Sequence, residues 1–179
     1  MSEGLAAEMA QGVGEGPQAR SHLWAMLLLV AAPVLVADQL SKVYIRAHFR
    51  PYQSVALIPD WLDITHTMNP GAAFSLFATM PAEFRSVFFI ALSAVAIVVL
   101  VALLARRSTP IGSGIAFALI LGGTIGNLID RVSRGVVTDF IYFHHKSFRY
   151  PVFNVADSAI TVGVALILIL ATFSGQSRD

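Results

Sequence analysis

Two aspartates, Asp139 and Asp157, stand in the sequence where they could act together on an amide bond. Asp139 follows a long apolar stretch, Asp157 lies early in the next one, and neither has a basic residue close by in sequence. Two such carboxylates can share one proton, so that the ionised one accepts a proton from water while the protonated one polarises the carbonyl. The alternative, that one of them caps a helix or pairs with Arg131, is equally open on the sequence alone.

Other polar residues gather at the same ends of the apolar stretches. A charged side chain costs roughly 2.5–3.5 kcal/mol to insert in a membrane, so such residues usually face a cavity and have a function. Because the first and third stretches end on the face where the fourth begins, these groups converge at one depth near the membrane boundary. They are Asp38, Gln39 and Lys42 in the first stretch, Asn127, Asp130 and Arg131 in the third, and Asn154, Asp157 and Ser158 in the fourth.

The apolar stretches predict an all-α polytopic membrane protein with four transmembrane helices. Of the 179 residues 56% are hydrophobic and only 13% are charged, with a mean hydropathy of +0.70. A soluble chain of this length cannot bury so much apolar surface. About 20 helical residues cross a bilayer and satisfy their own backbone hydrogen bonds there. We expect the spans at about 23–45, 87–105, 111–129 and 152–173.

The segments outside the spans predict a small sheet and an interfacial helix. Short strands at Ser54–Ile58 and Trp61–Met68 flank a turn at Pro59–Asp60, and Pro81–Phe88 is the expected start of the interfacial helix. We expect one domain at 23–173, between tails at 1–22 and 174–179. The first tail is expected to be disordered and is not a cleaved signal peptide, because its charges are mostly acidic.

Several classes of function are disfavoured. The chain has no cysteine, no H-E-x-x-H pattern and no basic cluster, so we expect no disulfide, no metal site and no nucleic-acid partner. A proton-coupled carrier would place its ionisable groups nearer mid-bilayer and often repeats its halves. A non-enzymatic assembly factor would leave the two aspartates without a purpose.

Five motifs follow one another along Asp38–Gly163. They are D-Q-x-x-K at Asp38–Lys42, N-x-G-A-A-F-S at Asn69–Ser75, G-N-x-x-D-R at Gly126–Arg131, G-x-V-x-D-F at Gly135–Phe140 and F-N-x-A-D-S at Phe153–Ser158. In this order and spacing they resemble the lipoprotein signal peptidases, the signal peptidase II family. One such motif would be weak evidence, whereas five in order are specific.

This resemblance implies a membrane aspartic protease in which Asp139 and Asp157 are the catalytic pair. It implies a β-cradle on the outer face, cytoplasmic termini and a place in the bacterial inner membrane. The tight turn at Arg106–Arg107 agrees with cytoplasmic termini, although Lys and Arg are more numerous at the other end. The implied substrate is a diacylglyceryl-modified prolipoprotein, cleaved just before its lipidated cysteine. No cofactor is implied, globomycin-type cyclic peptides are the implied inhibitors, and we expect a monomer in contact with membrane lipid.

Residues expected to bind substrate are Asn69, Gly71, Asn127, Arg131 and Asn154. For Asn69 the alternative is a turn before Gly71, whose small size would let a peptide or an acyl chain approach closely. Asn127 and Arg131 lie four apart on one helical face. For Arg131 the alternative to substrate carbonyls is a structural pair with an aspartate. Asn154 is expected to support the catalytic pair.

The remaining site residues are expected to be structural. Asp38 and Lys42 are spaced for an i,i+4 ion pair, with Lys42 reaching outward to the membrane surface. Asp130 is assigned to the same supporting group. Three glycines of the third span, Gly122, Gly123 and Gly126, are expected to permit close helix packing without a chemical role.

Overall fold

The computed structural model describes residues 17–71, 81–106 and 108–175. Four of its helical segments are long and apolar enough to cross a membrane, at His22–His48, Glu83–Leu104, Ile111–Arg134 and Val155–Phe173. The four predicted spans are thereby confirmed as helices. The helices are α1 (Pro17–Met26), which continues through a π-helical turn (Leu27–Ala31) into α2 (Ala32–His48), then α3 (Ala82–Leu104), α4 (Ile111–Arg134) and α5 (Val155–Gly175).

The π-helical turn in the first span has a local cause. Pro33 lies two residues after the end of this turn, and a proline inside a helix lacks an N–H and crowds the carbonyl of the preceding turn. The wider turn accommodates this, as the Ala32 N–H bonds to the carbonyl of Leu27. A Cβ on Gly122 would lie 2.6 Å from the Ala31 carbonyl oxygen, so α4 packs tightly against this widened turn.

A four-stranded antiparallel sheet joins the two loops on one side of the helices. The strands are β1 (Ser54–Ile58), β2 (Leu62–Asn69), β3 (Val137–His145) and β4 (Phe148–Arg149), in that spatial order. The first two agree with the predicted strands to within a residue at each end. The expectation that the first loop alone forms the sheet is wrong, because β3 and β4 come from the second loop. Pairing of Thr67 with Asp139 and Asn69 with Val137 therefore links the two loops.

Helix α4 is the centre of the bundle and carries ten buried positions, more than any other helix in the described part of the chain. Its glycines are surrounded by backbone and side-chain atoms of the neighbouring helices. A Cβ on Gly123 would lie 2.4 Å from the carbonyl oxygen of Ala156, and one on Gly126 would lie 2.4 Å from Asp38 Oδ2. The prediction that these glycines permit close packing is confirmed.

The N-terminal tail and the interfacial helix differ from their predicted bounds. The predicted tail 1–22 lies mostly outside the described residues, but helix α1 already begins at Pro17. Residues 82–88, expected to open an interfacial helix, are the first turns of α3 and continue into the second span without a break in the described part of the chain.

Candidate active site

The two candidate catalytic aspartates are brought together by a helix cap and a strand. Helix α4 ends at Gly135, whose φ of +74° is a left-handed cap, and the Gly135 N–H bonds to the Arg131 carbonyl at 2.9 Å. The chain then enters β3, which carries Asp139. Asp157 lies in the first turn of α5. We call Asp139 and Asp157 the aspartate pair.

Every asparagine of the chain contacts the aspartate pair. The sequence holds three asparagines, and each donates a hydrogen bond from its Nδ2 to one of the two carboxylates. Asp139 accepts from Asn69 at 2.9 Å and from Asn154 at 2.7 Å, one bond on each oxygen. Asp157 Oδ1 accepts from Asn127 at 2.8 Å. The pair is therefore solvated by neutral amide donors.

Asn154 connects the two aspartates through a capping box. Its Oδ1 accepts the N–H of Asp157 at 2.9 Å, and its own N–H donates to Asp157 Oδ2 at 3.2 Å. These reciprocal bonds satisfy free N–H groups at the start of α5. The alternative that Asp157 takes part in a helix cap is thus correct. The same asparagine also holds Asp139, so capping and pairing coexist.

Asn69 closes a turn and also holds the pair. Its Oδ1 accepts the N–H of Gly71 at 2.9 Å, which is the turn considered as an alternative to substrate binding. Gly71 has a φ of +88°, and a Cβ there would lie 2.6 Å from the ring of Phe89. Packing against Phe89 therefore explains why this position is glycine. Motif residues 72–75 lie outside the described part of the chain.

Burial changes the titration of Asp139. The residue is 1% exposed. Two effects raise the pKa of Asp139 to about 7: mainly the loss of hydration on burial, and then the nearby charge of Asp157. Hydrogen bonds from Asn69 and Asn154 act in the opposite direction and lower this pKa. At neutral pH Asp139 is thus in the range where a carboxyl group can hold and release a proton.

A second group of charged side chains lies beside the pair. We call this group the charge cluster, and it consists of Asp38, Lys42, Arg46 and Asp130. Lys42 Nζ lies 2.9 Å from Asp38 Oδ2 and 3.3 Å from Asp130 Oδ2, and Arg46 Nη1 lies 3.5 Å from Asp130 Oδ1. The predicted i,i+4 ion pair is present. The expectation that Lys42 reaches outward is wrong, because its side chain is fully buried and directed into the bundle.

The charge cluster holds the elements of the site in place. Asp38 Oδ1 accepts the N–H of Ala156 at 3.0 Å, so a side chain of the first span caps α5. Asp130 Oδ2 accepts the N–H of Thr138 at 3.0 Å, which fixes the start of β3 to α4. Lys42 Nζ also donates to Asn127 Oδ1 at 2.9 Å, which connects the cluster to the aspartate pair.

Arg131 belongs to neither group. Its guanidinium carbon lies 5.0 Å from the centroid of the Phe89 ring, a cation–π geometry. The alternative of a structural pair with Asp130 or Asp38 is wrong, since both bind other cations. Among the residues the structure describes, no carboxylate forms a salt bridge with Arg131.

A cavity of about 460 Å³ opens next to Asp157, between α5 and the β3–β4 hairpin. One wall is aromatic, and the other is formed by two turns of α5. His145 stacks on Trp61 with ring centroids 3.9 Å apart, and His144 Nε2 lies 3.2 Å from Asp63 Oδ1. The lining residues are Trp61, Phe143, His144, His145, Phe148, Tyr150, Phe153, Asp157, Ser158, Thr161 and Val162.

A model of the family described as signal peptidase II matches residues 30–173 of this chain. The chain belongs to the signal peptidase II family. The resemblance seen in the motifs is confirmed.

Relatives named lipoprotein signal peptidase are similar over most of their length. The protein of Syntrophus aciditrophicus is 37% identical over 80% of this chain and 90% of its own. That of Syntrophotalea carbinolica is 42% identical over 80% and 89%, and that of Yersinia enterocolitica is 43% identical over 79% and 83%.

Two solved structures of bacterial membrane enzymes, determined by the in meso method at 2.3 and 1.9 Å resolution, share the fold. The first has a TM-score of 0.75 and 31% identity, and covers 85% of this chain and 90% of its own. The second has a TM-score of 0.70 and 33% identity, and covers 80% and 90%.

Three residues of this signal peptidase II site were missed by the sequence analysis. Arg46 pairs with Asp130, Thr138 bonds to both of them, and Phe89 lies between Gly71 and Arg131. Arg46 follows Lys42 by four residues and Asp38 by eight, so a helical face was the available signal. No local pattern distinguishes Phe89 from the other aromatics of its span.

Proposed function

We propose that this protein is an aspartic endopeptidase that removes the signal peptide from diacylglyceryl-modified prolipoproteins, cleaving just before the lipidated cysteine. Its membership of the signal peptidase II family and the names of its relatives support the substrate class. The observation that carries the aspartic chemistry is the aspartate pair, in which a buried Asp139 and a half-buried Asp157 are joined by Asn154 and bound by amide groups instead of cations.

In the proposed mechanism a water molecule lies between Asp139 and Asp157. The ionised carboxylate accepts a proton from this water as its oxygen attacks the scissile carbonyl carbon. The other carboxyl group donates its hydrogen bond to the carbonyl oxygen, where negative charge develops. The pair then returns a proton to the leaving amine. Because the two groups are coupled, neither role belongs to one aspartate throughout.

The proposed binding residues surround this water position. Arg131 would donate to substrate carbonyls beside the scissile bond, because its guanidinium lies over Phe89 and is not bound to either aspartate of the pair. Asn69, Asn127 and Asn154 would contact the peptide backbone and keep the pair in position. Gly71 would leave room for the chain, with Asp38, Lys42 and Asp130 as support.

The cavity beside Asp157 suits the lipid part of such a substrate. It continues from the sheet to Thr161 and Val162, about two turns into the fourth span, so its far end lies at membrane depth. Its surface is mainly apolar, with five aromatic side chains and Val162 beside a smaller number of polar groups, as expected for a site that takes an acyl chain. A substrate entering laterally from the bilayer would bring its cysteine to the pair and its lipid to this cavity.

The remaining parts of the proposal concern location and assembly. We propose the bacterial inner membrane, with both termini cytoplasmic and the sheet on the outer face. The short turn with Arg106 at the opposite end supports this orientation. We further propose a single domain at about 23–173, a monomeric protein and inhibition by globomycin-type cyclic peptides. We also propose that Pro81–Phe88, where α3 starts, lies at the membrane interface.

Cleavage of a purified lipidated prolipoprotein, followed by gel mobility, tests the proposed activity. Wild type is compared with Asp139→Asn, Asp157→Asn and the matched control Asp60→Asn, an exposed aspartate in the β1–β2 turn. Both pair variants should be inactive while still binding globomycin, and the control should retain full activity. Turnover by either pair variant, or failure of the wild type to cleave, would refute the proposal.

A further inference from the structure

The side-chain amide of Asn127 is held differently from the other two. An amide nitrogen can only donate, so the orientation of each asparagine depends on what binds its oxygen. Backbone N–H groups hold the oxygens of Asn69 and Asn154. The oxygen of Asn127 accepts from the Lys42 ammonium at 2.9 Å and from Asn154 Nδ2 at 3.1 Å. We propose that Lys42 is a positioning residue, whose ammonium fixes the Asn127 amide so that its NH2 group always faces Asp157.

This orientation matters because the pair changes its protonation during the proposed reaction. An ionised Asp157 would attract the NH2 group of Asn127 without help. A protonated Asp157, however, could instead donate its proton to Asn127 Oδ1 if the amide turned over. The proton would then be directed away from Asp139 and the water. Lys42 prevents this, since an ammonium has no acceptor and must face the amide oxygen.

The geometry of Lys42 fits this role. A lysine ammonium has three donors. Here they are used by Asp38 Oδ2 at 2.9 Å, Asn127 Oδ1 at 2.9 Å and Asp130 Oδ2 at 3.3 Å. With a fully buried side chain, Lys42 has no water to replace any of them. Asp38 and Asp130 therefore hold Lys42, Lys42 holds Asn127, and Asn127 holds Asp157.

A merely structural role for Lys42 makes a different prediction. A buried ion cluster that only joins helices would lower stability when broken, with no specific effect on one amide. A positioning role predicts a change at Asn127 and in the chemical step at equal stability. The inference rests on the proposed function for its catalytic meaning, but the amide orientation can be measured without any substrate.

The first test is NMR of the full-length protein labelled with 15N at asparagine side chains. Because the chain has three asparagines, three NH2 pairs are expected, and all three report on the site. The test variant is Lys42→Met in an Asp38→Asn background, so that no new charge imbalance is created at that pair. Its reference is Asp38→Asn alone, and Lys146→Met, at the chain's other lysine, is the matched control.

In the double variant with Lys42→Met we expect the chemical shifts of the Asn127 NH2 group to change, while those of Asn69 stay the same. In Lys146→Met the shifts of all three asparagines should stay the same. In turnover assays the double variant should lose about tenfold or more in kcat relative to its reference, the usual scale for misplaced proton transfer. KM should change less than kcat, because Lys42 does not itself line the cavity and acts on substrate only through Asn127. Unchanged Asn127 signals or an unchanged kcat would overturn the inference.

A second test uses wild-type protein alone and so does not depend on whether a variant folds. If Lys42 anchors the amide, the Asn127 NH2 signals should persist as the aspartate pair is protonated by lowering the pH. A second set of Asn127 NH2 signals, or broadening by exchange between two amide environments over that range, would show that the amide turns over and would overturn the proposal. A wild type that cleaves no prolipoprotein but keeps this signature would refute the proposed function alone.

Discussion

The charge cluster and the aspartate pair lie side by side and use the same residue type in opposite ways. In the cluster both carboxylates have a cation partner, with nitrogen–oxygen distances between 2.9 and 3.5 Å. In the pair the partners are neutral N–H groups between 2.7 and 3.2 Å. Asp139 is as deeply buried as Asp38 and Asp130, so the kind of partner distinguishes the two groups.

Neutral donors solvate a carboxylate without deciding its charge. A cation at close range favours the ionised form strongly, whereas an amide stabilises it only moderately and tolerates a protonated neighbour. The cluster therefore suits a permanent structural task. The pair suits proton exchange, and among the described residues Arg131, which lies over Phe89, forms no salt bridge with either aspartate of the pair.

The largest expected difference between the regions is in turnover. Asp157→Asn should lower kcat by at least about 1,000-fold, as removal of a group that transfers protons does. Asp38→Asn keeps an acceptor for the Ala156 N–H and should lower kcat by no more than about tenfold. Single-turnover cleavage of a lipidated prolipoprotein measures both. Similar losses in the two variants would mean that the regions do not differ in function.

Stability should show the reverse order. Asp130→Asn removes a charge that binds Lys42 and Arg46, so we expect a loss of about 3 kcal/mol. This corresponds to a fall in Tm of roughly 6–12 °C for a chain of this size. Asp157→Asn breaks no ion pair and should leave Tm within about 3 °C. Thermal unfolding in detergent measures both, and an equal fall in Tm would contradict the comparison.

Much of this arrangement could be predicted from the sequence. The spans, the first hairpin and the Asp38–Lys42 pair all depend on local periodicity, which the sequence displays directly. Asp139 and Asp157 were also identified, because the ends of the spans must meet at one membrane boundary. The motifs then assigned both aspartates to one family.

The partners of these residues could not be predicted, because they depend on packing between distant segments. Lys42 was expected at the surface, since a lysine near a helix end usually extends to water. Its burial requires Asp130 and Asn127, which come from another helix. Likewise, the role of Gly71 depends on Phe89, which approaches only after α3 has packed. Spacing along the chain does not contain this information.

The pH dependence of kcat/KM tests the proposed proton exchange of the aspartate pair. Burial and the charge of Asp157 raise the pKa of Asp139 to about 7, so the shared proton is held below this pH and lost above it. The active form carries one proton, hence kcat/KM should fall about tenfold per pH unit on the alkaline side.

Asn69→Ser removes a hydrogen bond that lowers the pKa of Asp139, so the alkaline limb should move to higher pH. The measurement is kcat/KM from pH 5 to 9 for both proteins. A limb that moves to lower pH in Asn69→Ser would show that the amide does not act as a donor to the ionised form.

The smallest expected effect concerns the access of substrate to the two regions. Asp157 of the pair lines the cavity, whereas no residue of the charge cluster does. Val162→Trp would fill part of that cavity and should raise KM about fivefold, equivalent to roughly 1 kcal/mol of lost binding, with kcat nearly unchanged. Val164→Trp is the matched control, an exposed position on the same helix that does not line the cavity. Steady-state cleavage at varied substrate concentration separates the two. If both variants changed KM equally, the cavity would have no special part in binding, and the pair would have to be reached from the side of Arg131 and Phe89 alone.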